Sequence, residues 1–264
     1  MYTVLGSRGF IGRNIVKFLK AEGKECHTPE PDELDPKTNY GHVIYCIGLT
    51  ADFRTRPFAT VEAHAGLLGR ILENTQFESF TYMSSTRVYE GCEEGIEDAN
   101  LMVNPNDPSD LYNITKLAGE SLCLTLDDPS VRVARLSNVA GYDGTSENFI
   151  QAIIRDGLKG KIELQANPKS HKDFIMVEDV AALLTHIAEQ GAHRLYNVAS
   201  GENTVFKDIV DTIAKTLQCE TVYNDEAPMS VFPPINTERA QSDFDYRPER
   251  FMIKLPQLIE QYKN

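Results

Sequence analysis

The sequence predicts an α/β protein: a doubly wound, mostly parallel sheet covered by helices on both faces, with a smaller α/β lobe towards the C-terminus. Three observations carry this expectation. Short apolar runs alternate with segments of helical periodicity. A glycine-rich turn joins the first run to the first helical segment. After about residue 145 the apolar runs shorten, and a proline-rich stretch, "EAPMSVFPPIN" (226–236), interrupts the pattern.

The candidate strands are residues 2–5 (YTVL), 42–48 (HVIYCIG), 79–85 (SFTYMSS), 131–137 (VRVARLS), 173–177 (DFIMV) and 194–200 (RLYNVAS). Each is rich in the β-branched and aromatic residues that fill a sheet buried on both sides. Helical periodicity runs near 11–22, 58–74, 109–126, 148–159, 179–190 and 205–217. The acidic stretch "TPEPDELDPKTNYG" (28–41) is too short for a further strand and helix and reads as a loop. These elements divide the chain into a main unit over 1–145, to which 174–200 returns, and a lobe drawn mainly from 146–264.

The bulk properties exclude several classes. A chain of 264 residues can bury a full core. A formal net charge of -13 opposes a nucleic-acid backbone or an anionic membrane surface as the main partner, so the counter-charges for an anionic ligand must be local. Five scattered cysteines, never spaced Cys-x-x-Cys, suggest neither a disulfide framework nor a zinc site, and the six histidines show no ligand spacing. Without an apparent leader or an apolar run of membrane length, the expectation is a cytoplasmic enzyme with no metal.

In "VLGSRGFIGRNIV", Gly6, Gly9 and Gly12 follow the first strand and open the first helix. Glycines there permit a tight turn, let the backbone approach a diphosphate and leave helix amides aimed at it. Phe10 and Ile11 lie between them and join the expected cofactor contacts. About 20 residues on, a carboxylate should take the adenosine ribose. Glu30 is the first candidate and Asp32 the second, and an acid there favours NAD over NADP.

Tyr112 and Lys116 in "SDLYNITKLAGE" lie four residues apart, a little over one helical turn, and project from one face. With 11 tyrosines, about half a Tyr-x-x-x-Lys match is expected by chance, so the pair alone says little. A tyrosine working at neutral pH needs its pKa brought down from about 10, and one cation close by supplies a similar magnitude. The strand end "YMSSTRVY" offers Ser84, Ser85 and Thr86 where doubly wound sheets bind ligands.

Glycine turn, strand-end serine and Tyr-x-x-x-Lys, in that order, make the chain resemble an extended short-chain dehydrogenase/reductase of the NAD-dependent epimerase/dehydratase family, which acts on nucleotide sugars. "GSRGFIG", "HVIYCIG", "MSSTRVY", "YNITKLAGE", "RLSNVAGY", "KDFIMVEDVA" and "YNVASGE" carry the resemblance over nearly the whole chain. It implies a Rossmann-type fold with NAD as cofactor, NADP being the alternative. It implies Tyr112 as general acid/base, Lys116 on the nicotinamide ribose and depressing the tyrosine pKa, and Ser85 on the reacting oxygen. Gly6, Gly9, Phe10, Ile11, Gly12, Glu30, Cys46 and Ser84 would complete the cofactor site, and Thr86, Arg87, Asn138 and Lys172 would meet the substrate.

Some positions depart from the family pattern. His64 stands where an asparagine is usual and reads as a structural histidine ahead of a polar relay partner. Thr86 and Arg87 replace the Asp-Glu pair of the dehydratases, which counts against dehydration. Lys172 stands where relatives carry an arginine, and a second diphosphate arginine has no match except Arg239 or Arg247 on a different loop. The implied activity is hydride exchange at a carbinol or keto carbon, C4, of a nucleotide sugar, with epimerisation ahead of keto-sugar reduction. A non-catalytic dinucleotide sensor is the alternative of another class. Relatives pair through the helices represented here by 58–74 and 109–126, so a homodimer is expected.

Overall fold

The computed structural model describes residues 1–50, 52–144 and 148–263. Six parallel strands form the main sheet: β1 (Tyr2–Leu5), β2 (Cys26–His27), β3 (His42–Tyr45), β4 (Ser79–Ser85), β5 (Val131–Leu136) and β9 (Leu195–Val198), in the order β2-β1-β3-β4-β5-β9. The order reverses between β1 and β3, and the crevice beyond the strand ends at such a reversal is where open α/β sheets take ligands.

Helices cover both faces because both faces of the strands are apolar. On one, α1 (Phe10–Ala21) lies beside α6 (Val177–Gln190), with Ile15, Leu19, Val180, Leu184 and Ile187 fully buried against Val4, Ile44 and Ala134. On the other, Leu68 and Ile71 of α3 (Leu67–Asn74) and Cys123 of α4 (Leu111–Thr125) cover Tyr45, Tyr82 and Val131. A fully buried Leu or Ile contributes about 1.5–3 kcal/mol, so each face is an extensive source of stability.

The helix expected over 58–74 is divided. α2 (Pro57–Val61) passes into a π turn, Glu62–Gly66, before α3. Such wide turns commonly mark functional positions, and this one carries His64. The 28–41 stretch contains only a short 3-10 turn, Pro31–Glu33, preceded by the two-residue β2 that the sequence reading passed over.

The strand expected at 173–177 forms as β8 (His171–Met176), in a separate three-stranded sheet between β6 (Asn138–Ala140) and β10 (Asn203–Val205). It is parallel to β6 and antiparallel to β10. A two-stranded sheet pairs β7 (Lys161–Leu164) with β11 (Glu220–Tyr223). Around these sheets α5 (Phe149–Leu158), α7 (Phe206–Leu217) and α9 (Phe251–Lys263) share a second core of Ile153, Ile154, Ile209, Ile213, Leu255 and Ile259. The short α8 (Glu238–Phe244) packs back on β9. No helix among the described residues is long and apolar enough to cross a membrane.

Candidate active site

A cavity of about 520 Å³ lies over the carboxyl ends of the main sheet and extends to the smaller lobe. Its first wall is the glycine turn. Gly6 has φ +81°, and a Cβ there would lie 3.0 Å from the backbone of Cys46 and Ile47. A Cβ on Gly12 would stand 2.3 Å from the Gly6 carbonyl oxygen. Only glycine fits at either place. Gly9 is the N-cap of α1 and supplies no side-chain cap, while Gly9, Phe10, Ile11 and Gly12 line the cavity. The first-turn amides therefore lie at a cavity wall with no side-chain cap of their own, the arrangement that receives a diphosphate.

Cys46, from the end of β3, lines the same crevice, and burial pushes its thiol up to about 12, so it is a neutral packing group. Glu30 does not line the cavity. It lies on the surface in an ion pair with Arg8 of the glycine turn, 2.7 Å between Nη2 and Oε2. Gly6 supports the turn from beneath and is not on the wall either.

Ser84, Ser85, Thr86, Arg87, Tyr112 and Lys116 form the centre of the wall. Successive strand side chains point to opposite faces, which separates the two serines. The Ser85 hydroxyl accepts from the Arg87 backbone N–H at 3.2 Å. Ser84 donates instead to Glu120, so its hydroxyl is committed to the protein interior.

Tyr112 is buried, and burial raises its pKa above 10; Ser85, the positive charge of Arg87 and Thr50 oppose the rise only in part. The expected depression by Lys116 is not what the geometry produces. The Lys116 ammonium lies 5.9 Å from the Tyr112 ring centre and donates to the Met83 carbonyl at 2.8 Å. Burial lowers its own pKa to about 7, so near neutrality it is only fractionally charged, and Arg87 is the cation acting on Tyr112.

His64 is a structural histidine here. Leu49 N–H donates to Nε2 at 3.3 Å, which leaves the proton on Nδ1 to bond Thr115 Oγ1 at 2.9 Å. Thr115 in turn donates to the Tyr112 carbonyl at 3.0 Å. Burial and the Lys116 charge hold the His64 pKa down at about 3, so the ring is neutral and braces the backbone of α4.

Asn138 and Lys172 reach the cavity from the lobe side. Asn138 Nδ2 donates to the Asp173 carbonyl at 2.9 Å, and the Lys172 ammonium stands 4.6 Å over the Phe232 ring. Neither Arg239 nor Arg247 takes part. Arg239 is engaged by Glu97 and Asp98, and Arg247 pairs with Asp245 on the surface.

The sequence reading missed Arg54 and Glu90, both on the cavity wall. Arg54 lies 4.4 Å over the Phe53 ring and bonds Ser109 Oγ at 3.1 Å. The adjacent aromatic and arginine in "ADFRTRP" were the available signal.

Below the cavity, Glu120 and Arg135 form a buried pair with Arg135 Nη2 2.6 Å from Oε2, and Nε also bonds both carboxylate oxygens. Arg135 Nη1 donates to Tyr89 Oη at 2.8 Å and to the Glu97 carbonyl at 3.2 Å. Burial opposes the guanidinium charge, but bonding to Glu120 outweighs it and raises the Arg135 pKa.

The comparisons agree with this fold. GDP-6-deoxy-D-mannose reductase of Pseudomonas aeruginosa is 30% identical over 254 residues, covering 82% of this chain and 80% of the relative. Among solved structures, TunA, described as an NAD-dependent NDP-hexosamine 5,6-dehydratase of tunicamycin biosynthesis, superposes with a TM-score of 0.87 at 16% identity, covering 100% of this chain and 97% of that one. MoeE5, solved with NAD and either UDP-glucose or UDP-glucuronic acid, gives 0.81 at 21% identity and covers 99% and 98%. The model of the NAD dependent epimerase/dehydratase family matches residues 32–199, and the chain belongs to that family.

Proposed function

We propose that the protein exchanges a hydride between NAD(P) and C4 of a nucleotide sugar, with Tyr112 moving the accompanying proton. The observation that carries this reading is the meeting of Ser85, Tyr112 and Lys116 on one cavity wall whose other end is the uncapped start of α1. The glycine turn receives the diphosphate, Lys116 faces the nicotinamide ribose, and Cys46 packs beside the cofactor. When bound, the nicotinamide supplies or takes the hydride. Ser85 holds the sugar oxygen, and Tyr112 gives it a proton in reduction or takes one in oxidation. Asn138 and Lys172 meet the sugar or its phosphates from the smaller lobe, which is drawn mainly from 146–264 without α6 and β9.

Burial raises the Tyr112 pKa and so holds the phenol in the protonated form that a donor to a keto oxygen needs. The reductase relative brings keto-sugar reduction level with epimerisation. Arg87 offers only N–H donors where an elimination needs a proton acceptor, so it does not replace the missing Asp-Glu pair. Arg8 softens the earlier preference for NAD: its pair with Glu30 places a cation beside the expected ribose carboxylate, which accommodates NADP as well.

Mass spectrometry of the native protein should find a co-purifying dinucleotide or sugar nucleotide. Consumption of NADPH in step with a 4-keto nucleotide sugar identifies a reductase. C4 inversion with retained, non-exchanging NAD identifies an epimerase. If neither occurs with any nucleotide sugar, and Tyr112→Phe keeps the full biological effect of the wild type, the non-catalytic sensor replaces this reading.

A homodimer fits the same surface as the sequence expectation. Phe58 is 89% exposed on α2, Val61 follows it, and Leu122 and Leu124 are exposed on neighbouring α4. Exposed apolar side chains on two neighbouring helices suit a two-fold contact. Phe58→Glu should convert the dimer to monomer in analytical ultracentrifugation; a wild type that sediments as a monomer removes the proposal.

A further inference from the structure

Basic side chains outnumber acidic ones on the cavity wall, in a chain whose net charge is -13. Arg54, Arg87, Lys116 and Lys172 line it, and Glu90 is the only carboxylate among the described lining residues. The most telling of these is Arg87. Its guanidinium lies 5.6 Å from the Tyr112 ring centre and 5.3 Å from that of Phe53, so it faces whatever part of a ligand Tyr112 serves.

Arg87 is poorly paired for its position. Among the described residues its guanidinium makes one protein hydrogen bond, Nη2 to the Ser109 carbonyl at 3.3 Å. Glu90 approaches Nε only to 3.6 Å and is half exposed. A guanidinium has five N–H donors in a planar fork that matches a carboxylate, so most of this one's capacity is left for a ligand. Lys172 lines the same cavity, where burial and the Arg87 charge lower its pKa, with Glu90 in opposition. Two cations that disfavour one another beside a single exposed carboxylate are relieved by an anion arriving between them.

Resting on the nucleotide-sugar reading above, we propose that the sugar itself carries a carboxylate on the carbon neighbouring its reacting carbon, as C5 does in a uronic acid, and that Arg87 receives it with Lys172 as the second cation. The diphosphate lies further along the ligand, away from Tyr112, so the Arg87 contact distinguishes sugars by their own charge. Glu90 is the internal competitor for the same guanidinium.

Calorimetric titration of the protein saturated with NAD tests this with UDP-glucuronic acid, UDP-glucose and UDP, and with GDP-mannuronic acid, GDP-mannose and GDP. In one series the uronic acid should bind tighter than its neutral counterpart by about tenfold or more, the scale of a charge-assisted bidentate contact. Arg87→Gln should remove that preference while changing the neutral sugar and the free nucleotide by less than about twofold, and Glu90→Gln should widen it. NAD binding by each variant reports its fold. Equal wild-type affinity for acid and neutral sugar overturns the proposal, as does an Arg87→Gln loss shared by the free nucleotide, which would place Arg87 on the diphosphate. If no nucleotide or nucleotide sugar of either series binds, the nucleotide-sugar reading itself falls, and this inference with it.

Discussion

At the cavity end of α4, Tyr112 and Lys116 are buried with their charged forms disfavoured; one turn further along, Glu120 is buried in a pair with Arg135. Both clusters are almost free of solvent. They differ in what they face. Glu120 meets a guanidinium whose Nη1 donates to Tyr89 and to the Glu97 carbonyl, so its charge is held fast. Tyr112 and Lys116 face an open cavity and keep their protons exchangeable. A buried charge that is paired on all sides organises structure, whereas one left partly unpaired beside a cavity is available for chemistry.

The sharpest way to break this contrast is to remove the phenol. Tyr112→Phe should lower turnover by about 10²–10⁴-fold, the usual worth of a general acid, with melting temperature and NAD binding close to wild type. A variant that keeps its turnover would show that Tyr112 is as structural as Glu120. The lower cluster should behave in the opposite way. Glu120→Ala leaves Arg135 buried and uncompensated, and should cost about 3–5 kcal/mol in urea unfolding. The double variant Glu120→Met/Arg135→Met should recover much of that loss, because the unpaired charge is then gone.

A subtler effect comes from Lys116. Its pKa falls from 10.5 to about 7 on folding, so between those values the unfolded chain binds the extra proton and folded stability rises with pH. Below about 7 the penalty of a buried charge is fully felt. Stability curves of wild type and Lys116→Met should therefore converge as pH rises through this window, the variant being relatively more stable at its acid end. Parallel curves would mean that the ammonium is better solvated than its burial implies.

How much of this could be read from the sequence differs between the same two clusters. Tyr112, Lys116, Ser85 and the glycine turn were legible because each occupies a short motif whose spacing encodes its geometry. The main strands were legible as well: runs such as "HVIY" and "VRVARL" are apolar because both faces are covered. Glu120 and Arg135 were not, since they are 15 residues apart on different elements and only the β4–α4–β5 packing brings them together. Arg54 was missed for the same reason, its partner Ser109 being 55 residues away.

The smaller lobe was harder still. β7 and β11 alternate buried or partly buried residues with exposed ones over only four positions, and β6 has three residues. α9 carries Pro256 inside it, a residue that ordinarily breaks a helix. Burial of Leu255, Leu258 and Ile259 outweighs that cost. The inverted expectation for the Tyr112 pKa has a different origin: spacing along a helix shows which groups are neighbours, but not how far they are desolvated.

The bond from Lys116 to the Met83 carbonyl has an architectural consequence. Met83 lies two residues before Ser85, so the ammonium grips the very strand that delivers the hydroxyl. Tyr112, Lys116 and Ser85 are thus held on one helix and the strand it grips, apart from the lobe that shapes the far wall. Evolution could therefore recut that wall for a new sugar without retuning the reaction centre, and a chimera with a transplanted lobe should inherit the chemistry while exchanging its choice of ligand.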